Sequence, residues 1–176
     1  MGFKTIDPYG LDTNFFDEIG RRWMLITAAR PDDKVNSMTA AWGGIGFIWQ
    51  QPVAFFFIRP QRFTKTFVEA SSTLSLSFYD SAYRDTLTFM GGVSGYEDAQ
   101  KVEHSGLTLA FFETEVAQTP PLGSVRIERT PYFSEARLVL ICERLYQQDM
   151  LEQCFLDRAQ FEQFYGREGD ENDLLT

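Results

Sequence analysis

Between Asn36 and Tyr79 the chain concentrates side chains that could hold a ligand. The segment Asn36-Ser37-Met38-Thr39-Ala40-Ala41-Trp42-Gly43 offers an amide, hydroxyls and an indole. Arg59-Pro60-Gln61-Arg62-Phe63-Thr64 adds two guanidiniums and a hydroxyl, and Leu74-Ser75-Leu76-Ser77-Phe78 alternates apolar with hydroxyl side chains. Apolar walls, polar groups for a ring edge and fixed positive charge suit a flat aromatic ligand that carries a phosphate, which describes a flavin nucleotide.

Along an extended segment, Asn36, Met38 and Ala40 share one face while Ser37, Thr39 and Ala41 share the other. A barrel strand with one wetted face gives the same pattern, and periodicity alone favours that plainer reading. Arg59 and Arg62 are more specific, because they flank Pro60 where a helix can begin, and a helix N-terminus supplies free backbone N–H groups for an anion. Ordinary ion pairs with Asp or Glu are the alternative for both arginines. Thr64 adds a hydroxyl to this end, Ser75 and Ser77 either complete the site or face solvent, and Lys101 either meets a phosphate or is a solvated helix position. Trp23, Trp42 and Trp49 could stack on a ring, although aromatic side chains in strands more often fill the core.

Other chemistries have little support. Gly91-Gly92-Val93-Ser94-Gly95 lacks the Gly-Lys-Ser/Thr ending of a nucleotide-binding P-loop, and Gly43-Gly44-Ile45-Gly46 lacks the spacing of a dinucleotide-binding turn. His104 is the sole histidine, and Cys142 and Cys154 are the only cysteines, without C-x-x-C spacing. A metal site or a nucleophilic triad would exhaust these residues, so no metal is expected and no catalytic side chain is assigned. Sixteen basic against twenty-five acidic residues give a net charge of −9, the wrong sign for gripping nucleic acid. The start of the chain has no apolar signal core and no apolar run reaches membrane-spanning length, so a cytoplasmic protein without a membrane partner is expected.

At 176 residues one domain over 1–176 is expected, able to bury roughly 70% of its unfolded surface without staples. Periodicity predicts helices over Asn14–Arg21, Pro60–Ala70, Ala82–Met90, Glu97–His104 and Asp157–Tyr165. Strands are predicted over Trp23–Ala29, from Asn36, over Val53–Ile58, Thr73–Tyr79, Thr108–Gln118, Ser124–Arg129 and Glu135–Gln148. Arg30–Lys34 should turn the first strand into the second, and Gln50-Gln51-Pro52 should form the next turn. The glycines from Gly43 should mark a bulge or a close backbone approach, and an acidic tail from about Gly166 should fray. Hairpin-like connections favour a mainly β class, a closed or nearly closed antiparallel barrel with peripheral short helices.

The chain resembles the flavin reductase-like, flavoredoxin-like proteins of the FMN-binding split-barrel superfamily. The resemblance lies in Asn36-x-Met38-Thr39-x-x-Trp42-Gly43, Pro52-Val53-Ala54, Arg59-Pro60-x-Arg62-Phe63-Thr64, Leu76-Ser77-Phe78, and Tyr132-Phe133-x-Glu135-Ala136-Arg137-Leu138-Val139-Leu140 leading to Leu145-Tyr146. It covers roughly residues 10 to 165, and the order of the pieces is more specific than any one of them. It implies a Greek-key split β-barrel of about six antiparallel strands, a homodimer, and FMN near the dimer interface. By that resemblance Asn36, Met38, Thr39, Ala40 and Trp42 line the flavin ring. Arg59, Arg62 and Thr64 would hold the phosphate and ribityl chain, with Ser77 flanking them. Where the family often reads Ser-Gly-Arg-Asp-x-x-Lys, this chain has Ser94-Gly95-Tyr96-Glu97-Asp98-Ala99-Gln100-Lys101, which leaves Ser94 and Lys101 as candidate contacts but removes the arginine. A second departure is the tail, Asp170-Glu171-Asn172-Asp173-Leu174-Leu175-Thr176, where relatives carry a His-containing segment and a final strand.

The expected function is an FMN-dependent oxidoreductase of the flavin reductase type. NADH or NADPH would be a transient electron donor, and a small molecule or small redox protein the acceptor. An FMN-binding electron carrier or flavin-storage protein is the alternative, and a barrel that binds another flat ligand such as haem is a third.

Overall fold

The structure is a computed structural model that describes residues 2–117 and 125–165. In chain order its strands are β1 (Met24–Ala29), β2 (Val35–Ala40), β3 (Gly43–Ile48), β4 (Gln51–Phe56), β5 (Thr73–Phe78), β6 (Leu109–Ala117), β7 (Val125–Phe133) and β8 (Leu138–Glu143). The helices are α1 (Phe15–Asp17), α2 (Phe63–Ala70), α3 (Arg84–Gly92), α4 (Lys101–His104) and α5 (Arg158–Tyr165), with single 3₁₀ turns and one π-helical turn over Glu18–Arg22. The class is mixed α/β with antiparallel sheets, not mainly β, because helices occupy the connections on either side of β5. The expected number of about six strands is exceeded. Among the described residues eight strands form three hydrogen-bonded sheets, one ordered β2-β1-β5-β8 and two hairpins, β3–β4 and β6–β7.

β1 and β5 are the inner strands because their side chains are apolar or small on both faces. Register places Met38, Ile26, Leu76 and Leu140 in one row across the sheet. That face forms a core with Phe67 and Val68 of α2, and with Ala54 and Phe56 of β4 packed against it. Each fully buried Leu, Ile or Met contributes about 1.5–3 kcal/mol, which makes this row the main anchor of the sheet. The opposite face is built differently. Leu25, Tyr79, Leu87, Met90 and Phe133 form a second core, flanked by the buried hydroxyls of Thr27, Ser37, Ser75 and Ser77.

These hydroxyls correct a reading of the sequence. The polar face of β5 is not open to a ligand, because the β6–β7 hairpin covers it. Ser75 Oγ donates to the Pro131 carbonyl at 2.6 Å, and Thr130 Oγ1 donates to Thr73 Oγ1 at 2.7 Å. Thr27 and Ser37 share a further bond at 2.9 Å. Small side chains let two backbones approach closely, and most of these hydroxyls find a partner, so alternation here signals buried packing and not a wetted face.

Several boundaries also differ from expectation. α2 begins at Phe63, because Arg62 is extended (φ −75°, ψ 123°) and Pro60 lies in the preceding turn, closed by Arg62 N donating to Arg59 O at 3.0 Å. The first helix divides into α1 and a π-helical turn, capped at its end by Trp23, which takes φ 72°. The helix expected over 97–104 is only α4. The last long strand shrinks to β8, since Ala136 N bonds back to Phe133 O and turns the chain before it. The turn after β3 falls on Trp49 and Gln50, both left-handed at φ 50° and 60°, as a two-residue antiparallel hairpin requires. Gln118, Ser124 and the acidic tail lie outside the described residues.

The glycines at the start of β3 sit in a regular ladder, paired with Phe56 and Phe55, so the close approach expected there is to β4. A Cβ on Gly43 would stand 2.4 Å from the Phe55 carbonyl oxygen, and one on Gly44 would stand 2.6 Å from the Phe55 ring.

Candidate functional site

β2 is an edge strand of the central sheet, and the helices on either side of β5, α2 and α3, both reach it. On one side Asn36 Nδ2 donates to Thr64 Oγ1 of α2 at 2.8 Å, with both side chains buried. On the other side the Thr39 hydroxyl donates to the Leu87 carbonyl of α3. A methyl on Gly91 would stand 3.1 Å from Thr39 Cβ, so the end of α3 lies directly against the strand. The start of α2 and the end of α3 therefore meet around β2.

Two of the sequence-predicted cations converge at that meeting point. Arg62 Nη1 donates to the Gly91 carbonyl at 2.8 Å, and Lys101 Nζ donates to the carbonyls of Met90 at 3.0 Å and Val93 at 2.8 Å. Carbonyls at a helix C-terminus lack intrahelical partners and carry partial negative charge, which accounts for both contacts. Arg62 spends one of five N–H donors in this way, so its fork keeps donors for an anion. It is also the extended residue that opens α2, whose first turn has no side-chain cap. Arg59 places its guanidinium 5.9 Å from the indole centroid of Trp42, which is 40% exposed and meets Phe164 edge-on at 5.8 Å.

Burial, reinforced by the nearby Arg62 charge and partly opposed by Asp98, pushes the Lys101 amine down to about 8. The unfolded chain therefore binds one more proton than the folded chain from about pH 8 up to the ordinary lysine value of 10.5. Stability contributed by this residue rises as pH climbs through that window. Lys101→Met is expected to remove the rise. Urea unfolding of both proteins at about pH 7.5 and about pH 10 tests it, and identical pH dependence in the two would refute it.

The segment between α3 and α4 closes over the same place. Ser94 anchors a tight turn, accepting from Tyr96 N at its hydroxyl and from Glu97 N and Asp98 N at its carbonyl. Gly95 is buried, and a Cβ there would stand 2.2 Å from Phe63 Cδ1 and 3.1 Å from Asn36 Oδ1. Asp98 Oδ2 and His104 Nδ1 are 2.7 Å apart, an exposed pair that holds the histidine pKa above its usual range and the carboxyl below its own. His104 is thus occupied in fastening this segment.

The structure brings Asn36, Thr39, Arg62, Thr64, Ser94 and Lys101 to one junction, with Trp42 and Arg59 paired where β2 leaves and α2 approaches. Met38 and Ala40 place their side chains in the core under α2. Ser77 is fully buried on the opposite face of the sheet. The sequence reading missed Phe63, Gly91 and Gly95 as the pieces that close the junction. The run Gly91-Gly92-Val93-Ser94-Gly95 was the available signal, since such glycines mark close approach as readily as phosphate binding.

Other groups lie apart from this junction. Burial pushes the Cys142 thiol up to about 11, away from reactive thiolate chemistry, and Cys154 is exposed. Among the described residues no group of three or more His, Cys, Asp and Glu side chains converges, and no helix is long and apolar enough to cross a membrane. A groove of about 690 Å³ runs between the β3–β4 hairpin, α2 and the stretch after β8. Its rim exposes Phe47, Ile48, Trp49, Phe55, Leu145 and Tyr146. A second hollow of about 380 Å³ is lined by Asp17, Arg21, Arg22, Tyr79, Asp80 and Arg84. Neither is lined by the residues of the junction.

No family model and no curated protein matches the chain. Solved structures do. The chain resembles an FMN-binding domain of a flavin reductases-like enzyme from Shewanella baltica, with TM-score 0.53 and 17% identity over 91% of this chain and 68% of that one. It resembles flavoredoxin from Methanosarcina acetivorans, with TM-score 0.54 and 17% identity over 74% of this chain and 59% of that one. An FMN-binding protein from Thermus thermophilus with bound 1-cyclohex-2-enone gives TM-score 0.52 and 21% identity over 83% and 69%. Over most of its length the chain has the fold of flavin reductase-like FMN-binding domains and flavoredoxins.

Proposed function

We propose that this chain binds FMN and acts as an NAD(P)H-dependent oxidoreductase of the flavin reductase type. The observation that carries the reading is Arg62 at the uncapped start of α2, with Arg59 close by over Trp42, in a chain of net charge −9. The donor chemistry fits the cofactor. Arg59, the free donors of Arg62 and the first-turn amides of α2 suit a phosphate dianion, and Trp42 offers an aromatic wall. Thr64, Ser94 and Lys101 fix the surroundings. Lys101 also adds positive charge behind Arg62, while the Met38 and Ala40 side chains hold β2 to the core so that its backbone can face a ring. Bound FMN would supply two-electron redox chemistry that no side chain here offers.

The reading includes a split barrel that is a homodimer with FMN near the interface. The β3–β4 hairpin supports it, since among the described residues both its strands have a free edge and it exposes Phe47, Ile48, Trp49 and Phe55. Apolar patches of this kind usually mark interaction surfaces. Light scattering is expected to give twice the 20.2 kDa chain mass, and an FMN-bound monomer would contradict the interface.

Purified protein is expected to quench FMN fluorescence on binding and to oxidise NADH or NADPH only with FMN present, passing electrons to a small molecule or small redox protein. Binding without turnover by either donor would leave the second reading, an FMN-binding electron carrier or store.

A further inference from the structure

We propose that Tyr96 is a stacking platform for the planar ring of the molecule that exchanges electrons at this site, and that it sets which rings are accepted. The inference rests on the flavin reading above.

Tyr96 is 66% exposed, yet its position is fixed on both sides. Its amide donates to Ser94 Oγ at 3.2 Å, and Gly95 beside it is buried against Phe63 and Asn36 with no room for a side chain. Its ring centroid lies 4.5 Å from that of Phe63, and Phe63 lies 5.0 Å from Phe67 in the core. The Arg30 guanidinium packs over the same two rings, at 5.4 Å from Phe63 and 4.2 Å from Phe67. The result is a ladder of rings running from core to solvent, with Tyr96 as its open rung.

A ring already held in place loses little freedom when a ligand stacks on its exposed face. The ladder ends one residue from Gly95, which touches Asn36, and its middle ring belongs to the residue that follows Arg62. An arriving ring on Tyr96 would therefore lie beside the junction and not on the remote groove. The contact is ring on ring, so it recognises the ring itself and asks for no phosphate on it. A nicotinamide ring and a quinone ring both satisfy that chemistry.

The test measures dissociation constants of two probes, nicotinamide mononucleotide and menadione, by ligand-observed NMR. FMN affinity is measured in parallel by fluorescence quenching. Wild type, Tyr96→Ala and Tyr96→Phe are compared. Tyr96→Ala is expected to weaken at least one probe by roughly two- to tenfold, with Tyr96→Phe restoring it and FMN affinity unchanged in both variants. The affected probe identifies which ring source uses the platform. Unchanged affinity of both probes in Tyr96→Ala, no binding of either probe to wild type, or a parallel loss of FMN affinity would overturn the proposal. Failure of wild type to bind FMN while the probes still depend on Tyr96 would instead overturn the flavin reading alone.

Discussion

Replacing Arg59 and Arg62 together by alanine is expected to weaken FMN binding by at least about tenfold, since each charge-assisted contact to a phosphate is worth about 1.5–3 kcal/mol. Fluorescence quenching titrations read the change directly. The two positions are not equivalent. Arg62 also holds the Gly91 carbonyl at the end of α3, so its removal loosens the junction as well as the anion site. Arg59→Ala alone leaves that bond in place. It should cost affinity while lowering the urea midpoint less than Arg62→Ala does. An affinity unchanged in the double variant would place the phosphate elsewhere.

The second large effect concerns folding. Gly43→Ala is expected to destabilise the protein by about 2–4 kcal/mol, through overpacking and a backbone geometry that favours glycine. Gly43 has φ 152°, and the nearest obstacle to a Cβ is the Phe55 carbonyl oxygen at 2.4 Å. Backbone in a paired strand cannot swing aside as a side-chain tip can, so the hairpin must shift and carry Trp42 with it. Gly46→Ala is the control, because nothing lies within 4 Å of its Cβ position. Urea unfolding should separate the two variants clearly, and equal midpoints would show that the β3–β4 contact is softer than its geometry.

If Gly43→Ala also lowers FMN affinity, the hairpin and the junction are coupled through Trp42. That result would bear on the interface reading, since the hairpin carries the exposed rim at its turn and Trp42 at the start of its first strand.

Much of the fold was legible because its signals are local. The apolar runs at Met24 and Thr73 set two inner strands, and Arg30–Lys34 gave the first hairpin, closed by Arg30 N to Lys34 O at 2.9 Å. The spacing of Phe63 and Phe67 gave α2, while its start moved past Pro60 because the turn at Arg59 closes first. The hydroxyl face of β5 was misread, because alternation reports two different faces without saying what covers each one. The strand that covers it comes from more than fifty residues away, as the bond from Ser75 to Pro131 shows.

The candidate site divides in the same way. The sequence by itself determined which groups are available: two arginines at a helix start, an indole nearby, a sole histidine, a tyrosine where a cation was expected, and an acidic chain around them. Only the tertiary structure decided which of these meet. Arg62 and Lys101 converge because the carbonyls at the end of α3 lack helical partners, and Arg62 reaches them across 29 positions of chain. Residue type and local spacing fix what a side chain can do, whereas its partner depends on packing between distant segments, which no short stretch of sequence encodes.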